Sequence, residues 1–345
     1  ENTLTNSFSL NWTGGLPPTE QDTINEQTFF GAYLHQGGEL LDVKVSSGES
    51  FSNNYKGQTD WVAVRNKYFV VSFLDDIGNQ ITGSSVSASF EKNELYDIGV
   101  DLESNKTAII SVYLGPLEYD RIKALNMNLE SIMNFGWAII RPVAKGVLWV
   151  LKSMHTTIPN YGVILILFSI MVKLLVYPLT KKSYQSTQAM QAIQPEINNL
   201  REKHKNNPTK LNQATMELYK KKGVNPLGAC FPMLLQMPLL ISLFTVFRST
   251  IELRGEPFVF WIKDLSAPDI IFNLPFKIPI YGDYVCALPI LMALSMYAQQ
   301  KMMTPSGPGP QQQQQKMMQY FMMAFFFLLF NSFPSGLNLY YTLFN

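Results

Sequence analysis

Two periodicities divide the chain. Up to about Asn134, short runs alternate apolar and polar residues in steps of two, punctuated by Gly, Asn and Pro. Phe8–Trp12, Asp42–Ser47, Asp60–Arg65, Tyr68–Phe73, Val86–Phe90 and Ala108–Leu114 each predict a strand, because alternate strand side chains face opposite sides. Their spacing, with turns such as that at Ile77-Gly78-Asn79, predicts an all-β sandwich.

From Arg121 onward the step lengthens to three and four. Met133, Trp137, Ile140, Ala144, Val147, Leu148 and Leu151 fall on one helical face, and Arg141, Lys145 and Lys152 on another. Directly before a spanning segment, this predicts a helix lying in the membrane interface with its basic stems reaching the headgroups. An amphipathic helix packed on a soluble domain is the other reading.

The stretch Ile158–Lys182 is then apolar for about 20 residues, the length a bilayer crossing requires. Three more apolar segments follow, Phe231–Phe247, Val285–Gln299 and Met317–Phe333, and Leu337–Phe344 begins another. Between the first two lies a long polar stretch. Met190, Ile193, Ile197 and Leu200 make one thin apolar stripe, and Leu211, Ala214 and Leu218 a second, with a break at Asn206-Asn207-Pro208. Two amphipathic helices around a break predict a helical hairpin. The expected fold class is therefore multi-domain, an all-β sandwich followed by a polytopic α-helical bundle of five core segments. The boundaries are 1–130 for the β domain, 131–156 for the interfacial helix and 157–345 for the membrane core, with the hairpin at 181–225.

Overall composition conceals this division. The 345 residues carry a net charge of +1 and are 47% hydrophobic, but the first part is acidic and the hairpin basic. An acidic surface suits neither nucleic acid nor anionic lipid. Lys and Arg concentrate in the hairpin and in the short loop Lys301–Lys316, so both are expected in the cytoplasm and the β domain outside it. The stretch between Arg248 and Asp283 is balanced in charge and carries Phe258, Phe260 and Trp261, as expected of an outer loop. The N-terminus lacks a signal peptide's basic start and apolar core, and the last apolar run is too short to span. The natural chain is thus expected to extend at both ends.

Candidate chemistry is sparse. Cys230 and Cys286 lie in segments that the topology places near opposite faces, so no disulfide is expected. No metal cluster, nucleotide loop or catalytic triad is evident, and neither enzymatic activity nor a cofactor is expected. His35 reads as a solvated residue of a Gly-rich turn, and Trp12 and Trp61 as core or sheet-face aromatics rather than a sugar platform. The exception is Lys173 inside the first spanning segment, where a charge costs about 2.5–3.5 kcal/mol on insertion scales. Ser169 lies one turn from it, and Gln236 and Ser242 lie in the segment after the hairpin. Together they can line a wet, positive recess. Equally, Lys173 can snorkel to the interface while the others satisfy bonds between helices. The residues alone leave both readings open.

Several multi-residue motifs add a resemblance. Asn225-Pro-Leu-Gly-Ala-Cys230-Phe-Pro232-Met-Leu-Leu-Gln236-Met-Pro238, Val176-Tyr177-Pro178-Leu-Thr180 before a basic hairpin, Glu252-Leu-Arg254 with Trp261-Ile-Lys-Asp264, and Phe333-Pro334-Ser-Gly336-Leu-Asn-Leu-Tyr340-Tyr341 occur in order. In this the chain resembles the YidC/Oxa/Alb membrane protein insertases, and its first part is similar to the periplasmic domain of their Gram-negative members, through Gln58–Phe69 and Tyr113–Pro116. The resemblance implies a bacterial inner-membrane protein with a hydrophilic groove open to cytoplasm and lipid. It implies nascent membrane proteins, the ribosome, the Sec translocon with its accessory subunits and the lipid bilayer as partners. The groove is expected to hold Lys173, Ser169, Gln236, Ser242, Tyr340 and Tyr341, and a greasy slide Met233, Leu240, Phe244, Phe326 and Leu329. The family most often has arginine where Lys173 stands, and lysine keeps the charge but loses the bidentate fork. The rival function is a small-solute or ion transporter using the intramembrane lysine; inverted repeats would favour it, and none is evident.

Overall fold

The structure, a computed structural model, describes residues 7–46, 48–90, 94–103, 109–205, 207–225, 231–279, 281–303 and 310–345; the side chains of 231–236, 302–303 and 310–316 are among those left out. The chain forms two compact units, one of residues 1–134 with 249–252 and one of 135–248 with 253–345.

The first unit is a β-sandwich. Its elements are β1 (Ser7–Trp12), α1 (Thr23–Gln27), β2 (Gly31–Gln36), β3 (Glu39–Val43), β4 (Ser50–Lys56), β5 (Thr59–Arg65), β6 (Phe69–Leu74), β7 (Ile81–Phe90), β8 (Glu94–Glu103), β9 (Ser111–Pro116) and α2 (Tyr119–Lys123). One sheet has the order β1-β8-β7-β4 and the other β3-β2-β5-β6-β9, every pairing antiparallel. The core lies where the two inner faces meet. Leu34, Val62, Val64 and Val71 come from one sheet and Val86, Ile98, Val100 and Leu102 from the other.

Strand β5 departs from the alternation expected of a half-buried strand: Trp61, Ala63 and Arg65, on the face away from that core, are buried too. Their cover is residues 117–132, whose Leu117, Ile122, Leu129 and Ile132 are buried. The Trp61 indole donates to the Met127 carbonyl at 2.8 Å. Arg65 donates to the Ile132 carbonyl at 2.9 Å.

Several local expectations are corrected here. The strand expected at Asp42–Ser47 is β3, ending at Val43, and β2, β4 and β8 had not been foreseen. His35 is no solvated loop residue. It sits in β2, is 9% exposed, places Nδ1 2.6 Å from Asp60 Oδ2 and stacks on Trp61. Trp61 is a core residue, and Trp12 donates its indole N–H to the Gly15 carbonyl.

The second unit is helical: α3 (Ile140–His155), α4 (Tyr161–Ala192), α5 (Gln194–Lys203), α6 (Pro208–Lys222), α7 (Phe231–Ser249), β10 (Ile270–Ile278), β11 (Gly282–Cys286), α8 (Ala287–Met303), α9 (Pro310–Phe330) and α10 (Ser335–Phe344). Helix α3 begins at Ile140, so Met133 and Trp137 precede it; from Ile140 on, its buried face is the expected one. Helix α4 is capped by Asn160, whose side chain accepts from the Val163 N–H. It runs 32 residues, about 48 Å at the helical rise, past the expected hairpin boundary. Among the described residues it is the one helix long and apolar enough to cross a membrane by length and composition; Met237–Ser249 and Met317–Phe330 are shorter apolar helices. Helices α5 and α6 form the hairpin, joined by a Lys222–Glu196 ion pair of 2.5 Å. Helix α6 opens with Pro208 and an Asn207 cap, and stops at Gly223, whose φ of 65° favours glycine. The stretch between α7 and α8 contains an unforeseen antiparallel hairpin, β10–β11.

Candidate functional site

Helix α10 packs against α4 and α8, and α9 against α8, which brings the residues singled out from the sequence onto neighbouring surfaces. Lys173 is the thirteenth residue of α4, about 18 Å along it. It is exposed on a face shared with Ile170 and Tyr177, both likewise exposed. Its ammonium donates to the Phe344 carbonyl of α10 at 2.8 Å and to the Asn345 carbonyl at 3.3 Å, and lies 5.9 Å from the Phe344 ring centre.

The other predicted residues divide. Ser169, one turn before Lys173, is buried and donates back to the Ile166 carbonyl at 2.7 Å. Tyr340 is fully buried between the Phe168 and Phe344 rings, and its hydroxyl has no hydrogen-bond partner among the described residues. Tyr341 lies between α7 and α9, its hydroxyl 3.5 Å from the Leu240 carbonyl and its ring edge-on to Phe330. Ser242 does not join Lys173. It is buried, donates to the Pro238 carbonyl at 2.6 Å and faces the Ile140 carbonyl of α3 at 3.4 Å. The side chains of Gln236 and Met233 lie outside the described residues.

The apolar candidates are linked by rings. Phe244 of α7 lies 5.0 Å from Phe333, Phe333 lies 4.9 Å from Phe330, and Phe330 stands edge-on to Phe326 at 5.7 Å. Leu240, Phe244, Phe326 and Leu329 are all half-buried. Met317, Met318, Phe321 and Phe325 stand exposed on α9. The result is an apolar surface of aromatic and Met side chains, with Lys173 against Phe344 and Arg248 5.4 Å from the Phe244 ring centre.

Comparison with known proteins matches two family models, one to each part of the chain. The family model described as the 60Kd inner membrane protein matches residues 153–345. The model described as the YidC periplasmic domain matches residues 1–150. The chain belongs to the YidC family. It is similar to proteins named membrane protein insertase YidC from Chlorobium luteolum, 40% identical over 99% of this chain and 59% of the relative, and from Chlorobium limicola, 41% identical with the same coverage. The relative from Chlorobaculum tepidum is 39% identical over 99% of this chain and 58% of its own length. The chain thus spans about three fifths of the length of the curated relatives it matches.

Within this YidC-family chain, sequence reasoning overlooked the residues that seat α10. The Ser335 hydroxyl and N–H donate to the Asp264 and Ala267 carbonyls, both at 2.8 Å, and the Gly336 N–H donates to the Leu265 carbonyl at 2.9 Å. A side chain at Gly336 would come within 3.1 Å of that carbonyl oxygen and 3.3 Å of Leu165. Asn331 donates to the Tyr281 and Tyr284 carbonyls, both at 2.8 Å, and accepts from the Cys286 N–H at 3.0 Å. Asp269 accepts from the Trp261 indole at 3.0 Å and the Leu288 N–H at 2.8 Å, at the start of α8. Its pKa is raised chiefly by burial, against these hydrogen bonds, which lower it. The available signal was a single polar residue in an apolar run, as at Asn331. Cys286 is buried with a free thiol, and Cys230 lies outside the described residues.

Proposed function

We propose that the chain is the working part of a membrane protein insertase of the bacterial inner membrane. Its β-sandwich lies in the periplasm, its α5–α6 hairpin in the cytoplasm and its α3 in the interface. The observation that carries the reading is Lys173, the one charged residue in the apolar stretch Tyr161–Leu179 of α4, beside the ring-lined surface of α7, α9 and α10. An acidic tail of a nascent membrane protein enters from the cytoplasm and is held at Lys173. Its apolar segment then moves along Leu240, Phe244, Phe326 and Leu329 into lipid. Polar backbone in hydrocarbon costs several kcal/mol per unsatisfied group, and a polar path of this kind shortens that exposure. Met side chains on α9 suit varied sequences because thioethers are flexible. The partners on this reading are nascent membrane proteins, the ribosome at the basic hairpin, the Sec translocon and lipid. The names of the relatives and the basic bias of the hairpin support it. No covalent step is asked of any residue.

The test is protease protection of a single-spanning substrate with an acidic N-terminal tail, inserted by the full-length protein in proteoliposomes. Lys173→Arg is expected to insert as wild type, and Lys173→Glu at least fivefold less, recovering when the substrate tail is made basic. Equal insertion of the acidic tail by Lys173→Glu would falsify the charge mechanism.

A further inference from the structure

The loop between α7 and β10 ends in an unusual tip. Phe260 is 90% exposed, yet its backbone has φ of 60°, a left-handed conformation that a bulky residue rarely takes without a local reason. The turn around it is closed: the Phe258 N–H donates to the Ile262 carbonyl at 3.0 Å, and the Ile262 N–H to the Val259 carbonyl at 3.4 Å. Trp261 next to it is 40% exposed, stacks on Phe260 and is tied through its indole N–H to the buried Asp269. A fold that sought only to bury apolar surface would turn Phe260 inward. This one fixes it pointing out.

The base of the loop shows what it meets. The Phe258 ring fills the space beside Gly162, and Asn160, the cap of α4, donates to the Pro257 carbonyl at 3.3 Å. The tip is therefore anchored at the N-terminal end of the membrane-length helix. From that end an exposed apolar stripe, Val163, Leu167, Ile170 and Leu174, runs down α4. Side chains at such a helix end lie at the depth of the headgroups, where aromatic residues concentrate.

We propose that Phe260 and Trp261 form a rigid aromatic wedge inserted into the headgroup–acyl boundary of the leaflet at the N-terminal end of α4, its occupant lipid. The left-handed backbone aims Phe260 at the acyl chains, while the Asp269 bond holds Trp261 at headgroup depth. The proposal rests on the reading that α4 crosses a bilayer.

The experiment places an environment-sensitive fluorophore at Phe260→Cys in the full-length protein, its other accessible cysteines replaced, reconstituted in phosphatidylcholine vesicles. Identical labels at Leu174→Cys and Ile77→Cys report hydrocarbon and water. At 260 we expect stronger quenching by lipid brominated near the headgroup than by lipid brominated near the chain end, and iodide quenching at least fivefold weaker than at 77. Iodide quenching equal to that at 77 overturns the wedge while bromolipid quenching at 174 leaves the spanning helix standing. Shielding from iodide without bromolipid quenching also overturns it, because protein then covers the tip. Absence of bromolipid quenching at 174 removes the spanning reading, and the wedge with it.

Discussion

A guanidinium buried under a β-sheet needs an acceptor for the N–H groups it takes out of water. Arg65 finds three main-chain carbonyls, those of Asn66, Lys67 and Ile132, at 2.9 to 3.2 Å. Burial pushes its pKa down from the usual arginine value, while Tyr33 and Asp42 push it up. Asn66 and Lys67 close the turn next to Arg65, while Ile132 belongs to the crossing segment, so one bond of the guanidinium ties that segment to sheet β3-β2-β5-β6-β9, with Trp61 and His35 beside it; Asn128 lies 3.4 Å from His35 Nε2. Arg65→Ala leaves those carbonyls buried without donors, each worth about 1–3 kcal/mol. Chemical denaturation of the variant should show a loss of roughly 3 kcal/mol, and Arg65→Lys a smaller one. No feature of the local sequence marks Arg65 as buried, since its strand reads as half-exposed until residues 117–132 close over it.

At the scale of elements, α10 is seated by its first two residues. The run after Phe333 reads in sequence as a turn, because Pro334 cannot continue α9 and Gly336 follows. In the fold the same residues are a docking joint. Ser335 and Gly336 bond three carbonyls of the stretch 264–267, and a side chain at Gly336 would crowd Leu265 and Leu165. Gly336→Val forces that joint apart, and overpacking of this kind costs about 1–3 kcal/mol. Thermal unfolding in detergent should show the midpoint lowered for Gly336→Val and less so for Gly336→Ala. The hairpin β10–β11 was illegible for a different reason. Its burial follows no alternation, with Ile271, Phe272 and Phe276 all exposed, and Asn331 of a distant segment holds its turn.

At the scale of the whole molecule, pH tests one buried charge. The folded-state pKa of Asp269 is raised above 3.8, first by desolvation, so the folded protein binds this proton more tightly than the unfolded chain. Stability from this group is therefore greatest in acid and declines as pH rises from the unfolded pKa through the folded one. The thermal midpoint of wild type relative to Asp269→Asn should fall over that interval and then level off. A difference that rises with pH would reverse the assignment.

The β-sandwich followed by helices, the α5–α6 hairpin, the length and apolar composition of α4 and the family were all legible in the chain, because periodicity, charge bias and ordered motifs are local. So was the interest of Lys173, since a charge in an apolar run is visible without coordinates. Tertiary packing settled the rest. It placed His35 in a strand rather than a turn, and turned Ser242 toward α3. It buried both faces of β5, and held Phe260 outward in a left-handed turn. These outcomes depend on which distant segment covers a residue and which carbonyl meets its donor, and no pattern of neighbours along a chain carries that information.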